Sequence, residues 1–220
     1  MIQYIFLMML ILITYLSAFK NNIPTCDRFI QNVYLYLATA VCLLGVIVNI
    51  LPFDMIRFFI PAIVTSFVSL ILLVTLNKSI LINHILWLIF IVSLSIIMLP
   101  YIHTSPYIQS SIISTCIIFI LMTYIGTTYK TFFNRHTNQF SIGLFVALIA
   151  IIITEIMLMV TGHYKKNKSI MSYLVIILFS IFIAYDTNRL AYYAKNCVKS
   201  PNYPRQSTHL FLDIINLLVR

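Results

Sequence analysis

No charged side chain occurs between Ser79 and Tyr129. A soluble domain carries about 25% charged residues, and a stretch this long without any would leave a globule too little polar surface to face water. A bilayer accommodates it readily, because a helix crosses the hydrocarbon with about 20 largely apolar residues. The run is too long for one crossing, and Pro100, His103, Thr104, Ser105 and Pro106 divide it. The whole chain agrees with this reading: of 220 residues, 61% are hydrophobic and 9% charged. A soluble globule and a disordered chain are both excluded. What remains is an all-α, polytopic membrane helix bundle.

A search for further apolar runs and their interruptions gives eight segments. They are Ile2 to Phe19, Phe29 to Leu51, Phe58 to Leu76, Ile85 to Leu99, Tyr107 to Tyr129, Phe140 to Val160, Ile170 to about Ala194, and a short last one from Ser207 to Arg220. Basic residues are unequally shared between the two sides. Loops after the first, third, fifth and seventh segments carry Lys20, Arg28, Lys78, Lys130, Arg135, Arg189, Lys195, Lys199 and Arg205. The opposite side has Arg57, Lys165, Lys166 and Lys168, with Arg220 if the last helix crosses fully. The richer side is expected to face the cytosol. The formal charge of +9 is thus read as membrane anchoring, with lipid as the partner and no nucleic acid.

The chain has five acids, and an intramembrane carboxylate is costly unless it faces water or a partner. Asp27 and Asp54 fall in loops, whereas Glu155, Asp186 and Asp213 fall within spans. From the helical rise, Asp186 lies roughly 12 Å and Asp213 roughly 9 Å from the cytosolic end of their segments. The two are level and on segments adjacent in the chain. Glu155, roughly 22 Å in, belongs to the other leaflet. His209, Asp213, Asn216 and Arg220 recur at helical spacing, so they form a polar stripe on one face of the last helix. Such a stripe is expected to look into the bundle or a wet cavity. Hydrogen bonding between helices would also account for it, as an ion pair with Arg189 would for Asp186.

Two carboxyls in contact at low dielectric tend to share one proton, so the pair can respond to pH. Once both are ionised they repel, and a hard cation with oxygen affinity can enter between them. Calcium fits this chemistry better than zinc, for which no Cys or His cluster is evident. Two carboxylates alone make a weak, exchangeable site, suited to passage, and no tightly bound cofactor is expected.

Other motifs carry little. Cys26, Cys42, Cys116 and Cys197 are scattered, and no disulfide framework or zinc site is expected from them. The glycines are too dispersed for a phosphate-binding loop. His84, His103, His136 and His163 sit singly at span ends, as interfacial side chains do. Neither N-K-S triplet, at Asn77 or Asn167, is read as glycosylated, the first for its side and the second for its closeness to the membrane.

The stretch IFIAYDTNRL around Asp186 and the ending HLFLDIINLLVR around Asp213 resemble the two signature regions of the transmembrane Bax-inhibitor family, which includes the Lifeguard and Golgi anti-apoptotic proteins. Weaker similarity runs through FSIGLF to RFIQNVY, so the resemblance covers roughly residues 28 to 220. It implies a seven-helix bundle with a short central C-terminal helix. It also implies that Asp186 and Asp213 gate a proton-sensitive calcium leak which lowers stored calcium and inhibits apoptosis. Membership further implies residence in the endoplasmic reticulum or Golgi, or else the plasma membrane, and as partners calcium channels or Bcl-2-type proteins. Residues 1–22 depart from the family pattern as an extra hydrophobic segment, either a signal anchor or an additional span. The family's basic latch is matched loosely to Lys78, and Glu155 has no counterpart; it is expected to line the non-cytosolic mouth or to bond a Ser or Thr. Two other functions compete with the leak. One is a non-conducting scaffold that regulates channels or death-pathway proteins. The other, an intramembrane aspartyl protease with the same two acids, lacks the G-x-G-D context, so no enzyme is expected.

Overall fold

A computed structural model describes residues 2–76, 79–129, 137–197 and 201–220. Among these, eight α-helices run in chain order: α1 (Ile2–Ala18), α2 (Phe29–Ile50), α3 (Phe59–Thr75), α4 (Ile80–Thr104), α5 (Ile108–Thr128), α6 (Thr137–Val160), α7 (Tyr164–Lys195) and α8 (Tyr203–Leu218). Six spans from α2 to α7 are long and apolar enough to cross a membrane, while α1 has 17 residues and α8 has 16. The all-α multi-span reading therefore holds.

The chain forms two compact units. The first comprises residues 1–106 and 193–211, the second 107–192 and 212–220. In the first unit α1 packs on α2, α2 on α4, and α4 on α3. A short hairpin follows α1, with β1 (Phe19–Lys20) antiparallel to β2 (Ile23–Pro24). Its two turn residues, Asn21 and Asn22, both have positive φ, 53° and 62°. Tight hairpins demand that geometry, and Asn is one of the few residues to accept it.

The end of α4 differs from expectation. The sequence suggests a stop at Leu99, yet the helix continues through Pro100 to Thr104. A proline removes one backbone donor, a loss that membrane helices tolerate; here Thr104 Oγ1 donates to the Pro100 carbonyl at 2.5 Å. Pro106 makes the break, because the residue before a proline is driven out of the helical region. Ser105 is extended, at φ −79° and ψ 117°.

A second correction concerns the cysteines. Cys26 and Cys197 form a disulfide within the first unit, closing the loop before α2 onto the segment after α7. The same loop is held by Asn32, whose Nδ2 donates to the Asp27 carbonyl at 2.9 Å and to the Tyr203 hydroxyl at 3.1 Å. Tyr203 in turn donates to the Thr25 carbonyl. Cys42 and Cys116 are free thiols.

In the second unit, Leu144 of α6 and Leu178, Ala184 and Tyr185 of α7 form a buried cluster. α6 and α7 are joined by a turn at Gly162, whose φ of +72° favours glycine. The last helix is unlike its predecessors: from Tyr203 to Arg220 no residue is exposed.

Candidate functional site

The second unit contains three acids, Glu155 on α6, Asp186 on α7 and Asp213 on α8, and it treats them in two ways.

The position of Asp186 is set by a close helix approach. Gly126 on α5 faces Ala184 on α7 so tightly that a Cβ there would lie 2.3 Å from the Ala184 carbonyl oxygen. Small residues permit such backbone proximity between membrane helices. On the other side of Asp186, the Asn188 Nδ2 donates to the Gly126 carbonyl at 3.3 Å. Asp186 is thus bracketed by two contacts to one glycine, two residues before it and two after. Tyr185, Thr187 and Asn188 are all buried.

Asp213 is 4% exposed, and among the described residues its Oδ2 has no hydrogen-bond partner. The charge of Asp186 acts on it directly. Arg189, one turn beyond Asp186 on the same helix, acts on Asp186 as well. Asp186 on α7 and Asp213 on α8 thus lie in the same unit and influence each other electrostatically. Most buried polar atoms in folded proteins are satisfied, so the unpartnered carboxylate oxygen of Asp213 is an exception. Among the described residues no cluster of three or more His, Cys, Asp or Glu exists. Two carboxylates offer only a weak, exchangeable hold on a hard cation.

Glu155 is arranged quite differently. Its Oε1 accepts from Arg220 Nη1 at 2.5 Å and its Oε2 from Nη2 at 3.0 Å. Both side chains are largely enclosed, 14% exposed for Glu155 and 20% for Arg220. This two-point fork is the strong geometry for an Arg and a carboxylate. Glu155 thus bonds an arginine, a partner that neither expectation, the non-cytosolic mouth or a bond to Ser or Thr, had named. Arg220 leaves the role of a general stripe member for that of a specific partner.

Asn216 Nδ2 donates to the Leu212 carbonyl one turn back in its own helix. His209, half-buried, lies one turn before Asp213 on the first unit's part of α8. Lys78, the candidate latch, lies outside the described residues, as do Asn77, Lys130, Arg135, His136 and Lys199.

Comparison with protein families bears on this pair of motifs directly. A family model described as inhibitor of apoptosis-promoting Bax1 matches residues 26–220, which takes in both acids and every helix from α2 onward. The chain belongs to the Bax inhibitor family. α1 lies outside the matched range, as do both strands of the hairpin that follows it. Among curated proteins no match was found. Membership establishes a multi-span membrane protein linked to the inhibition of apoptosis.

Proposed function

We propose that this Bax inhibitor family member is a calcium leak pathway whose opening is set by the proton occupancy of Asp186 and Asp213. In this reading it lowers the calcium content of an endoplasmic-reticulum or Golgi store, and so restrains death signals that depend on calcium release. It performs no covalent chemistry.

The observation that carries the reading is the unpartnered Oδ2 of Asp213, buried beside a second acid. With one shared proton the carboxyls attract through a hydrogen bond and hold α7 to α8. With none they repel, and a divalent cation can offset the repulsion briefly on its way through. Because only two carboxylates are offered, release is as easy as capture, which suits a leak.

Purified protein in calcium-loaded vesicles, assayed across pH, tests this. Wild type is expected to pass calcium with a rate that changes with pH. Asp213→Asn and Asp186→Asn are each expected to keep their fold and to flatten that dependence. Unchanged pH-dependent flux in both variants would remove the acids from the gate. No flux from wild-type protein at any pH would favour a non-conducting scaffold that acts on calcium channels or Bcl-2-type proteins.

A further inference from the structure

The first unit contains a cavity of about 510 Å³ between α1, α2 and α4. That is in the usual range for a small-molecule site, roughly 300–1,000 Å³. One wall is Ile11, Thr14 and Tyr15 of α1 with Phe19 and Asn22 of the hairpin, all outside the family match, while the lining residues of α2 and α4 lie within it. The cavity belongs to the first unit and the acid pair to the second.

Of its interior polar groups, Thr14, Thr39, His84 and Tyr36 are engaged, while the indole Nε1 of Trp87 is buried with no hydrogen-bond partner among the described residues. Thr14 and Thr39 donate to the Leu10 and Leu35 carbonyls of their own helices, at 2.7 and 2.8 Å. His84 Nδ1 lies 2.7 Å from the Ile80 carbonyl, which can only accept, so Nδ1 carries the proton. Nε2 then accepts from the Tyr36 hydroxyl at 2.7 Å. What these groups present to the cavity is ring faces. Phe19, His84, Tyr36 and Trp87 form a continuous aromatic series, with successive centroids 5.9, 5.7 and 5.6 Å apart.

The mouth is different. Tyr15 donates to Asn22 Oδ1 at 2.5 Å, which leaves the Asn22 amide hydrogens without a partner among the described residues and a lone pair open on the Tyr15 oxygen. One donor and one acceptor side by side match a single hydroxyl. They sit at the α1 end marked by Lys20, the membrane-surface end, while the cavity reaches along α4 from Ile80 to Leu88, about 12 Å inward. No Lys or Arg lines it, so nothing there answers a carboxylate or a phosphate.

We propose that this cavity binds a membrane sterol, its hydroxyl on Tyr15 and Asn22 and its fused rings against the aromatic series. The neutral lining disfavours an acyl chain with an anionic head. A rigid ring system also gives up little conformational freedom on binding, whereas a flexible chain gives up much. Leu12, Tyr15 and Lys20 fit a short sterol-contact spacing, a weak pattern of which only Tyr15 lines the cavity.

The test uses full-length protein in phosphatidylcholine vesicles with a photoreactive sterol, and mass spectrometry to locate adducts. Adducts are expected on the cavity segments of α1, α2 and α4, suppressed about tenfold by excess cholesterol and little by its 3-epimer or by oleate. Leu88→Trp, which fills the inner part, is expected to lower labelling by a similar factor. Asn22→Gly keeps the positive φ of the turn and removes the amide; it is expected to abolish the preference for cholesterol over the epimer even if Leu88→Trp proves unstable. Equal competition by the epimer or by oleate would overturn the assignment. So would adducts spread evenly over lipid-facing α5 and α6, or an Asn22→Gly variant that discriminates as wild type does.

Discussion

Glu155 and Asp213 are both acids inside the second unit, and both have a charged neighbour, yet one is paired with an arginine and the other with another acid. Glu155 has each oxygen on one arm of the Arg220 fork. Asp213, on α8, keeps one oxygen without a partner among the described residues. A complete ion pair has one stable arrangement and resists change. Two like charges with spare valence have at least two, chosen by protons or cations. The C-terminal segment thus carries a fixed contact at Arg220, just beyond α8, and a variable one seven residues earlier, at Asp213.

This contrast can be attacked from either side. The largest effect is expected from Arg220→Ala, which leaves the enclosed Glu155 charge unpaired; breaking such a pair costs on the order of 3 kcal/mol. Replacing both partners, as Glu155→Gln with Arg220→Gln, is expected to cost much less, since no charge is then stranded. Thermal unfolding in detergent of the single and double variants decides it, and equal losses would mean that the fork is not what holds the pair. Next is Gly126→Ala. Its new methyl must push α5 from α7 at Ala184, for which overpacking of about 1–3 kcal/mol is expected. The same assay reads it, and a neutral result would remove the clamp that positions Asp186. Smallest is Asp213→Asn. It removes a like charge and keeps the shape, so its melting temperature is expected to change little or to rise; a large fall would show that Asp213 serves as a structural group, as Glu155 does.

The sequence was most readable where depth could be counted. Rise per residue alone brought Asp186 and Asp213 to one level. The same arithmetic puts Arg220 roughly 20 Å deep, beside Glu155 at roughly 22 Å, so the signal for that pair was present in the spacing. It was obscured by reading Arg220 as part of a stripe with Asp213, although seven residues separate them along the axis. Pro100 misled because a proline is a stronger stop in water than in a bilayer, where helices tolerate it more readily. The Asn21-Asn22 turn was legible in principle from its residue types, but two-residue strands give no alternation to detect.

The Cys26–Cys197 bond spans 171 positions, and no local spacing could reveal it. Parity of crossings does put the two cysteines on one side, since one segment precedes Cys26 and seven precede Cys197. The excess of Lys and Arg assigns that side to the cytosol, where stable disulfides are rare. Labelling with a membrane-impermeant maleimide in sealed vesicles of known orientation separates these pressures. The expected result is labelling of both thiols from the cytosolic face only after reduction; labelling from the opposite face would invert the array.

The account rests on the acid pair as the variable contact of α8. Its most direct measurement is calcium flux across pH in vesicles containing either Asp186→Asn with Asp213→Asn or Glu155→Gln with Arg220→Gln. Loss of pH dependence in the first variant, with pH dependence kept in the second, is the expected result. A first variant that conducts and titrates as wild type, or a second that alone loses its response, would contradict it.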